Sequence, residues 1–505
     1  MTGAKLIILN TVVQYVRTFV SMIIMLFSTR ILLDSFGQSG YGLYSVVGSM
    51  VFMIGFVTVS LASSTQRFLS FAHGKGDRVE LREIFANAFC LHVLIALVIA
   101  CVMYGLSGVF LSNLDITDDQ RSSAMFMYFM VLLMVLLTFI TAPLRALYIA
   151  HENILYVSVV EILDAFLKLG GAVMLGFISY DPLKVYSLVM FGVSLFNFLA
   201  YALYARIHYE ECHVPSFREI SKDRMKGLMG FAVWNVYAVG SGVVRTQGLA
   251  IVINRFLGTL VNAAYGIALQ VNNAVSFIAL SILNSVNPQL MKAEGAGDRQ
   301  RMLLLGTKES KYSFLVLVLL LTPLAFEMPM VLSFWLQEVP DHAVMFCQFI
   351  LIAYIWDQTT IGLTSANQAI GRIRNYSLLT STIRLMVLPV GWFCLKSGLP
   401  PVSVMVSYVA IDALIGFIRI PFLKATAGLD VWNYVKDVYV RCALPTLAVV
   451  AVSWSVGHYL DFPFRFVLTE IVAVMVGFVM VYLVALDSSE RAWIVSKLNR
   501  KRRKS

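Results

Sequence analysis

Four cations interrupt the apolar stretches of this 505-residue chain: Arg17, Lys168, Arg245 and Arg384. A charge at membrane depth costs about 2.5–3.5 kcal/mol on insertion scales, so each is expected to face a cavity or a partner. A guanidinium offers forked donors that match phosphate oxygens, and an ammonium supplies a point charge. Together the four suggest a site for a polyanion such as phosphate or pyrophosphate. The plainer alternative is that each is neutralised by a neighbouring helix or snorkels to an interface. That alternative is favoured for Arg30 and Arg255, which lie close to the ends of their spans. Glu161, Asp164 and Lys168 share one helix face, so Asp164 can pair with Lys168 at i, i+4. That pair and an anion site at Lys168 are both open. Asp164, Asp357 and Asp412 are candidates for a coupling proton or Na⁺, or for simple charge balance; Glu470 is a weaker one.

The elements that must position these residues are membrane helices. The chain is 59% hydrophobic and 13% charged, against roughly 45–50% and about 25% in soluble domains. A span needs roughly 20 apolar residues, because backbone groups in hydrocarbon must be satisfied within the helix. The expected spans are Leu6 to Leu33, Leu43 to Ser63, Phe85 to Leu106, Ala124 to Ile149, Leu155 to Ile178 and Leu183 to Ala205. A second set lies at Gly227 to Ile253, Ala263 to Val286, Tyr312 to Trp335, Ala343 to Ala366, Tyr376 to Leu395 and Val402 to Phe422. A last pair, Val438 to Tyr459 and Phe464 to Leu486, makes about fourteen transmembrane helices in an all-α polytopic membrane protein.

Basic residues collect in alternate connections, at Arg67 to Arg82, Arg206 to Lys226 and Lys292 to Lys311. The intervening loops carry Asp115, Asp118 and Asp119, or Glu338 and Asp341. The positive-inside rule therefore places both termini in the cytoplasm. The net charge of +10 includes the tail Arg500, Lys501, Arg502, Arg503 and Lys504. Directly after a span such a tail is expected to meet anionic headgroups and not nucleic acid. The first apolar run continues through Arg17 and Arg30 without a cleavage site and reads as a retained span. The six cysteines form no C-x-x-C pair and read as packing residues. Neither a metal cluster nor a catalytic set is marked in the sequence.

An internal repeat organises the spans. Thr29-Arg30-Ile31-Leu32 and Tyr41-Gly42-Leu43 recur as Asn254-Arg255-Phe256-Leu257 and Tyr265-Gly266-Ile267. Leu69 with Gly74-Lys75-Gly76-Asp77-Arg78 recurs as Leu290 with Gly295-Ala296-Gly297-Asp298-Arg299. Leu144 and Ala150 align with Leu363 and Ala369. The Arg30–Arg255 alignment puts Arg245 one turn from the position equivalent to Arg17, and Lys168 and Arg384 stand in the same relation. Copies with six spans each are parallel, a transporter arrangement with the substrate site near the midplane between repeats. The expected organisation is a six-helix bundle at 1–210, a linker at 211–226, a second bundle at 227–425, two extra helices at 426–487 and a basic tail at 488–505. Gly74 to Arg78 reads as a turn and not a nucleotide loop, since no strand precedes it and no P-loop motif occurs. No cofactor is expected.

With Thr29-Arg30-Ile31-Leu32, Gly37, Tyr41-Gly42-Leu43-Tyr44, Gly371-Arg372-Ile373 and Asn375-Tyr376, the chain resembles the multidrug, oligosaccharidyl-lipid and polysaccharide (MOP) exporter superfamily. Within it, the chain looks like the O-antigen or polysaccharide flippases of the Wzx type. The resemblance implies two MATE-like bundles in a bacterial inner membrane and translocation of an undecaprenyl-pyrophosphate-linked oligosaccharide to the outer leaflet. It also implies membrane lipids and polysaccharide polymerase or chain-length proteins as partners. Peptidoglycan-precursor flippases share the fourteen spans and the cationic cavity. Drug and cation antiporters of the superfamily carry an acid in the first bundle; here the first span has Arg17 and the seventh Arg245, although Glu161 and Asp164 keep that reading open. A polymerase or ligase would present a large outer loop with catalytic residues, whereas the loop around Ser112 to Ser123 is short and acidic.

Overall fold

A computed structural model describes residues 3–112, 118–212, 219–336, 339–488 and 490–492. Asp115, Arg218, Glu338 and the basic tail at 500–504 lie outside the described residues, as do the side chains of Asp118 and Asp119. The regular structure of the described residues is helical: α1 (Gly3–Lys75), α2 (Arg78–Ser112), α3 (Asp118–Ala150), α4 (Ile154–Met174), α5 (Pro182–His208), α6 (Lys222–Gly295), α7 (Arg299–Phe326) and α8 (Met328–Trp335). The series continues with α9 (Ala343–Gln358), α10 (Ile361–Ile370), α11 (Ile373–Leu385), α12 (Val387–Lys396), α13 (Val402–Ala427), α14 (Val431–Val435), α15 (Arg441–Tyr459) and α16 (Arg465–Met480).

Eleven described helices are long and apolar enough to cross a membrane, or twelve if α9 and α10, bent by 47° at Thr359–Thr360, form one span. The expected segment Leu43 to Ser63 is the part of α1 beyond Gly37, and Leu155 to Ile178 is α4, which carries three charges in its 21 residues. The protein is a multi-pass membrane protein. The expected continuous span Tyr312 to Trp335 is broken instead: α7 begins at Arg299, ends at Phe326, and α8 restarts past Glu327 with Pro329 in its first turn. Proline lacks the amide that would continue the ladder, so a break falls ahead of it.

The two longest helices are broken at matching glycines, Gly37 in α1 (φ 68°, ψ 176°) and Gly258 in α6 (φ 82°, ψ −179°). Such dihedrals are open essentially to glycine alone. The hairpin turns repeat the device at Gly76 (φ 74°) and Gly297 (φ 80°). These pairs set the repeat register, and it differs from that of Arg30 and Arg255. Arg17 stands 20 residues ahead of Gly37 and Arg245 stands 13 ahead of Gly258. They are therefore two turns apart and on one helix face, not one turn apart as the local motif suggested.

The chain divides into two compact units, residues 1–239 with 284–298, and residues 240–283 with 299–505. In the first unit, Leu43, Val47, Leu61, Tyr128, Phe139 and Leu228 form one buried cluster; Leu69, Phe85, Leu147, Tyr148 and Tyr201 form another. The end of α6 joins this unit through the α3–α4 turn. There Glu152 (φ 61°) accepts from Lys292 at 2.8 Å and Gln289 at 3.0 Å. In the second unit Leu249, Tyr265, Leu317, Phe346 and Tyr408 form the core. Its central helix is α7, 61% buried over its apolar window against 17% for α5 and α16. Large apolar side chains such as Phe19, Phe177, Ile207, Leu260 and Phe478 are exposed, as expected of surfaces solvated by lipid tails.

The last two long helices pack on α7. Val318 and Leu319 meet Val449 and Ala473, and a Cβ at Gly477 would come within 2.0 Å of Leu319. Ion pairs fasten both ends of that contact. At one, buried Glu327 holds Arg465 at 3.0 Å and Thr469 at 2.8 Å. At the other, Glu490 holds Lys311 at 3.0 Å and Tyr312 at 2.6 Å.

Candidate functional site: two charge sets among the helices

In the first unit, Glu161 lies two turns into α4 and bridges two cations. Arg17 of α1 meets its Oε2 and Arg145 of α3 its Oε1, the latter at 2.6 Å. One turn along α4, Asp164 accepts from Lys168 at 2.8 Å and from Asn197 of α5 at 2.7 Å. Tyr201 stands within electrostatic reach of the Glu161 pairs and of Asp164, so these groups form one set. Three cations against two acids leave it one positive charge in surplus.

The second unit repeats that balance with other residues. Arg245 of α6 meets Asp412 of α13 at 2.6 Å and lies over the Tyr408 ring, 4.2 Å from its centroid. Arg419, two turns further along α13, meets Asp357 of α9 at 2.8 Å and donates to Thr360 at 3.0 Å. Arg384 of α11 stands within electrostatic reach of both acids. Among the described residues, its buried Nε has no hydrogen-bond partner, and no carboxylate lies within ion-pair distance. The set is again three cations against two acids.

The candidate residues thus fall into two groups by unit, Arg17, Lys168 and Asp164 in one, Arg245, Arg384, Asp357 and Asp412 in the other. Arg30 and Arg255 are exposed and lie outside both sets. Asp164, Asp357 and Asp412, the acids suggested for ion coupling, each face a cation. Sequence reasoning missed Arg145 and Arg419. Both signals were present: Arg145 lies inside an expected span, and Arg419 comes seven residues after Asp412, which puts them on one helix face.

No family model matches the chain, and no curated protein matches it. Solved structures do. A MATE transporter in the straight conformation aligns with a TM-score of 0.73 at 12% identity, covering 84% of this chain and 96% of that one. An outward-facing multidrug-resistance MATE transporter of the MOP superfamily aligns with a TM-score of 0.73 at 12% identity over the same shares, 84% and 96%. A MOP superfamily transporter from Pyrococcus furiosus, described as having a binding pocket of reverse polarity that suggests a different function, aligns with a TM-score of 0.71 at 11% identity, covering 84% and 96%. At these identities the likeness is one of fold. The chain has the fold of a multi-pass membrane transporter of the MATE type.

Proposed function

We propose that the protein is a flippase that carries an undecaprenyl-pyrophosphate-linked oligosaccharide, such as an O-antigen or other surface-polysaccharide repeat unit. It would move this lipid from the inner to the outer leaflet of a bacterial cytoplasmic membrane by alternating access, with both termini in the cytoplasm. The observation that carries the reading is the charge balance: the set in each unit holds one cation more than it has acids. A pyrophosphate diester brings about two negative charges, and forked guanidinium donors suit its oxygens. Arg17, Lys168, Arg245 and Arg384 are the proposed anion-binding residues. Polysaccharide polymerase and chain-length proteins are its expected partners. The reverse polarity of the binding pocket described for the Pyrococcus transporter, said to suggest a different function, is a precedent for a change of pocket charge on this fold.

A peptidoglycan-precursor lipid presents the same pyrophosphate and is the second reading. Transport of cationic drugs fits less well, because Glu161 and Asp164, the acids suited to a cation in the first unit, are already occupied by Arg17, Arg145 and Lys168.

Deleting the gene tests the proposal. Lipid-linked repeat units should accumulate on the inner leaflet while peptidoglycan synthesis continues, and the wild-type gene should restore surface glycan. Loss of viability with accumulation of peptidoglycan precursor would favour the second reading. Unchanged surface glycan, with cationic-dye resistance rising on overexpression, would sink the flippase.

A further inference from the structure

Glu309 of α7 is 1% exposed. Its Oε1 accepts one hydrogen bond, from Ser365 of α10 at 3.1 Å, and its Oε2 has no partner among the described residues. No cation lies within ion-pair distance of it among those residues. Its neighbours Lys308 and Lys311 are both taken by Glu490, at 3.2 and 3.0 Å. An ionised carboxylate buried without a counter-charge is unfavourable by several kcal/mol.

The carboxyl also sits beside a bend. One turn before it, α7 and α10 touch backbone to backbone, with a Cβ at Gly362 falling 1.9 Å from the Gly306 carbonyl oxygen. The 47° bend between α9 and α10 frees backbone groups that other side chains take up. The Gly362 amide donates to Ser310 at 3.0 Å, and the Tyr434 hydroxyl donates to the Thr359 carbonyl at 2.6 Å. Arg419 donates to Thr360 at the same bend while holding Asp357. The bend therefore joins Glu309, through Ser365, Gly362 and Thr360, to the charge set of the second unit.

We propose that Glu309 is a proton-binding site, releasing its proton when the α9–α10 bend straightens enough to admit water and taking it up again when the bend closes. In the step the carboxyl O–H bond breaks, the proton passes to water, and the carboxylate is solvated. This assigns a driving ion to the transport proposed above and rests on that reading. Tyr434 of α14 stands within electrostatic reach of Glu309. Of the other elements packed on α7, α10 carries no ionisable side chain, α9 brings Cys347, Tyr354 and Asp357, the last already held by Arg419, and α16 brings Glu470 and Arg465, the latter held by Glu327. The start of α15 and the turn before it bring Asp437 and Arg441, paired to each other at 2.7 Å, with Lys436, Tyr439 and Cys442 beside them.

Infrared difference spectroscopy of the purified full chain in liposomes tests this without any substrate. The wild type should show a protonated-carboxyl stretch at neutral pH that titrates away in alkali and is absent in Glu309→Gln. Ser365→Ala, which removes its one hydrogen bond, should shift that band and leave it titratable. An unchanged band in Glu309→Gln, or no protonated carboxyl in the wild type at neutral pH, overturns the proposal. If the band behaves as expected while the deletion strain exports glycan normally, the proton site stands and the substrate reading fails.

Discussion

Gly74 and Gly295 occupy equivalent places in the two copies of the hairpin and meet in reciprocal contact. A Cβ on Gly74 would fall 2.1 Å from the Lys292 carbonyl oxygen, and one on Gly295 would fall 2.1 Å from the Phe71 carbonyl oxygen. Phe71 and Lys292 are themselves equivalent, each three residues ahead of its glycine. The obstacle on both sides is backbone, which cannot rotate away.

Either Gly74→Ala or Gly295→Ala should therefore destabilise the first unit by about 1–3 kcal/mol. Thermal unfolding in detergent would read this as a lowered midpoint for each single variant. Because both methyl groups intrude on one contact, the double variant should fall by less than the sum. Full additivity would mean that the two glycines do not share it.

Glu161 compensates two arginines at once, so Glu161→Gln should cost more stability than Arg145→Ala. Losing one partner of a buried pair costs about 3–5 kcal/mol, and the partial exposure of this set reduces that to about 1–3 kcal/mol. Adding Arg145→Ala to Glu161→Gln should recover part of the loss, as read from a double-mutant cycle of unfolding midpoints.

Arg384 and Arg419 should respond oppositely. Arg384→Ala removes a cation that no carboxylate among the described residues holds, so the protein should melt within about 1 kcal/mol of the wild type. In a deletion strain it should nevertheless fail to restore surface glycan. Arg419→Ala strands Asp357 and should cost about 3–5 kcal/mol. Normal export by Arg384→Ala at wild-type protein level would remove that residue from the proposed anion site.

Glu490 should make stability depend on acid. Burial pushes its carboxyl up, but hydrogen bonds from Tyr312, the Asp487 amide and Lys311 outweigh this and hold it down to about 2. A depressed carboxyl contributes stability above the unfolded value, and that contribution is lost as pH falls through the folded one. The wild type should exceed Glu490→Gln by a constant margin, on the order of 3 kcal/mol, down to about pH 4.5, and the margin should close between about pH 4.5 and 2. Unfolding midpoints of both proteins across that range would check it. A margin unchanged at pH 2 would mean the Glu490 contacts do not carry it.

Apolar runs, basic loops and paired glycines are local properties, and a helical chain, its spans and its repeat are legible from them without the fold. A span must satisfy its backbone within one segment, so twelve of the expected stretches could be read in order without knowing what packs on what. The Asp164–Lys168 pair was legible for the same reason, since its partners are one turn apart. The other pairings were not. Arg17 with Glu161 and Arg245 with Asp412 join residues 144 and 167 positions apart, and no helical period reports which buried charges will meet. Packing alone matches Asp357 and Asp412 to arginines and, among the described residues, leaves Arg384 without a carboxylate partner and buried Glu309 without a cation. Burial and counter-charge are properties of packing, and in a low-dielectric interior they determine which ionisable groups are structural and which remain available for a substrate or a proton.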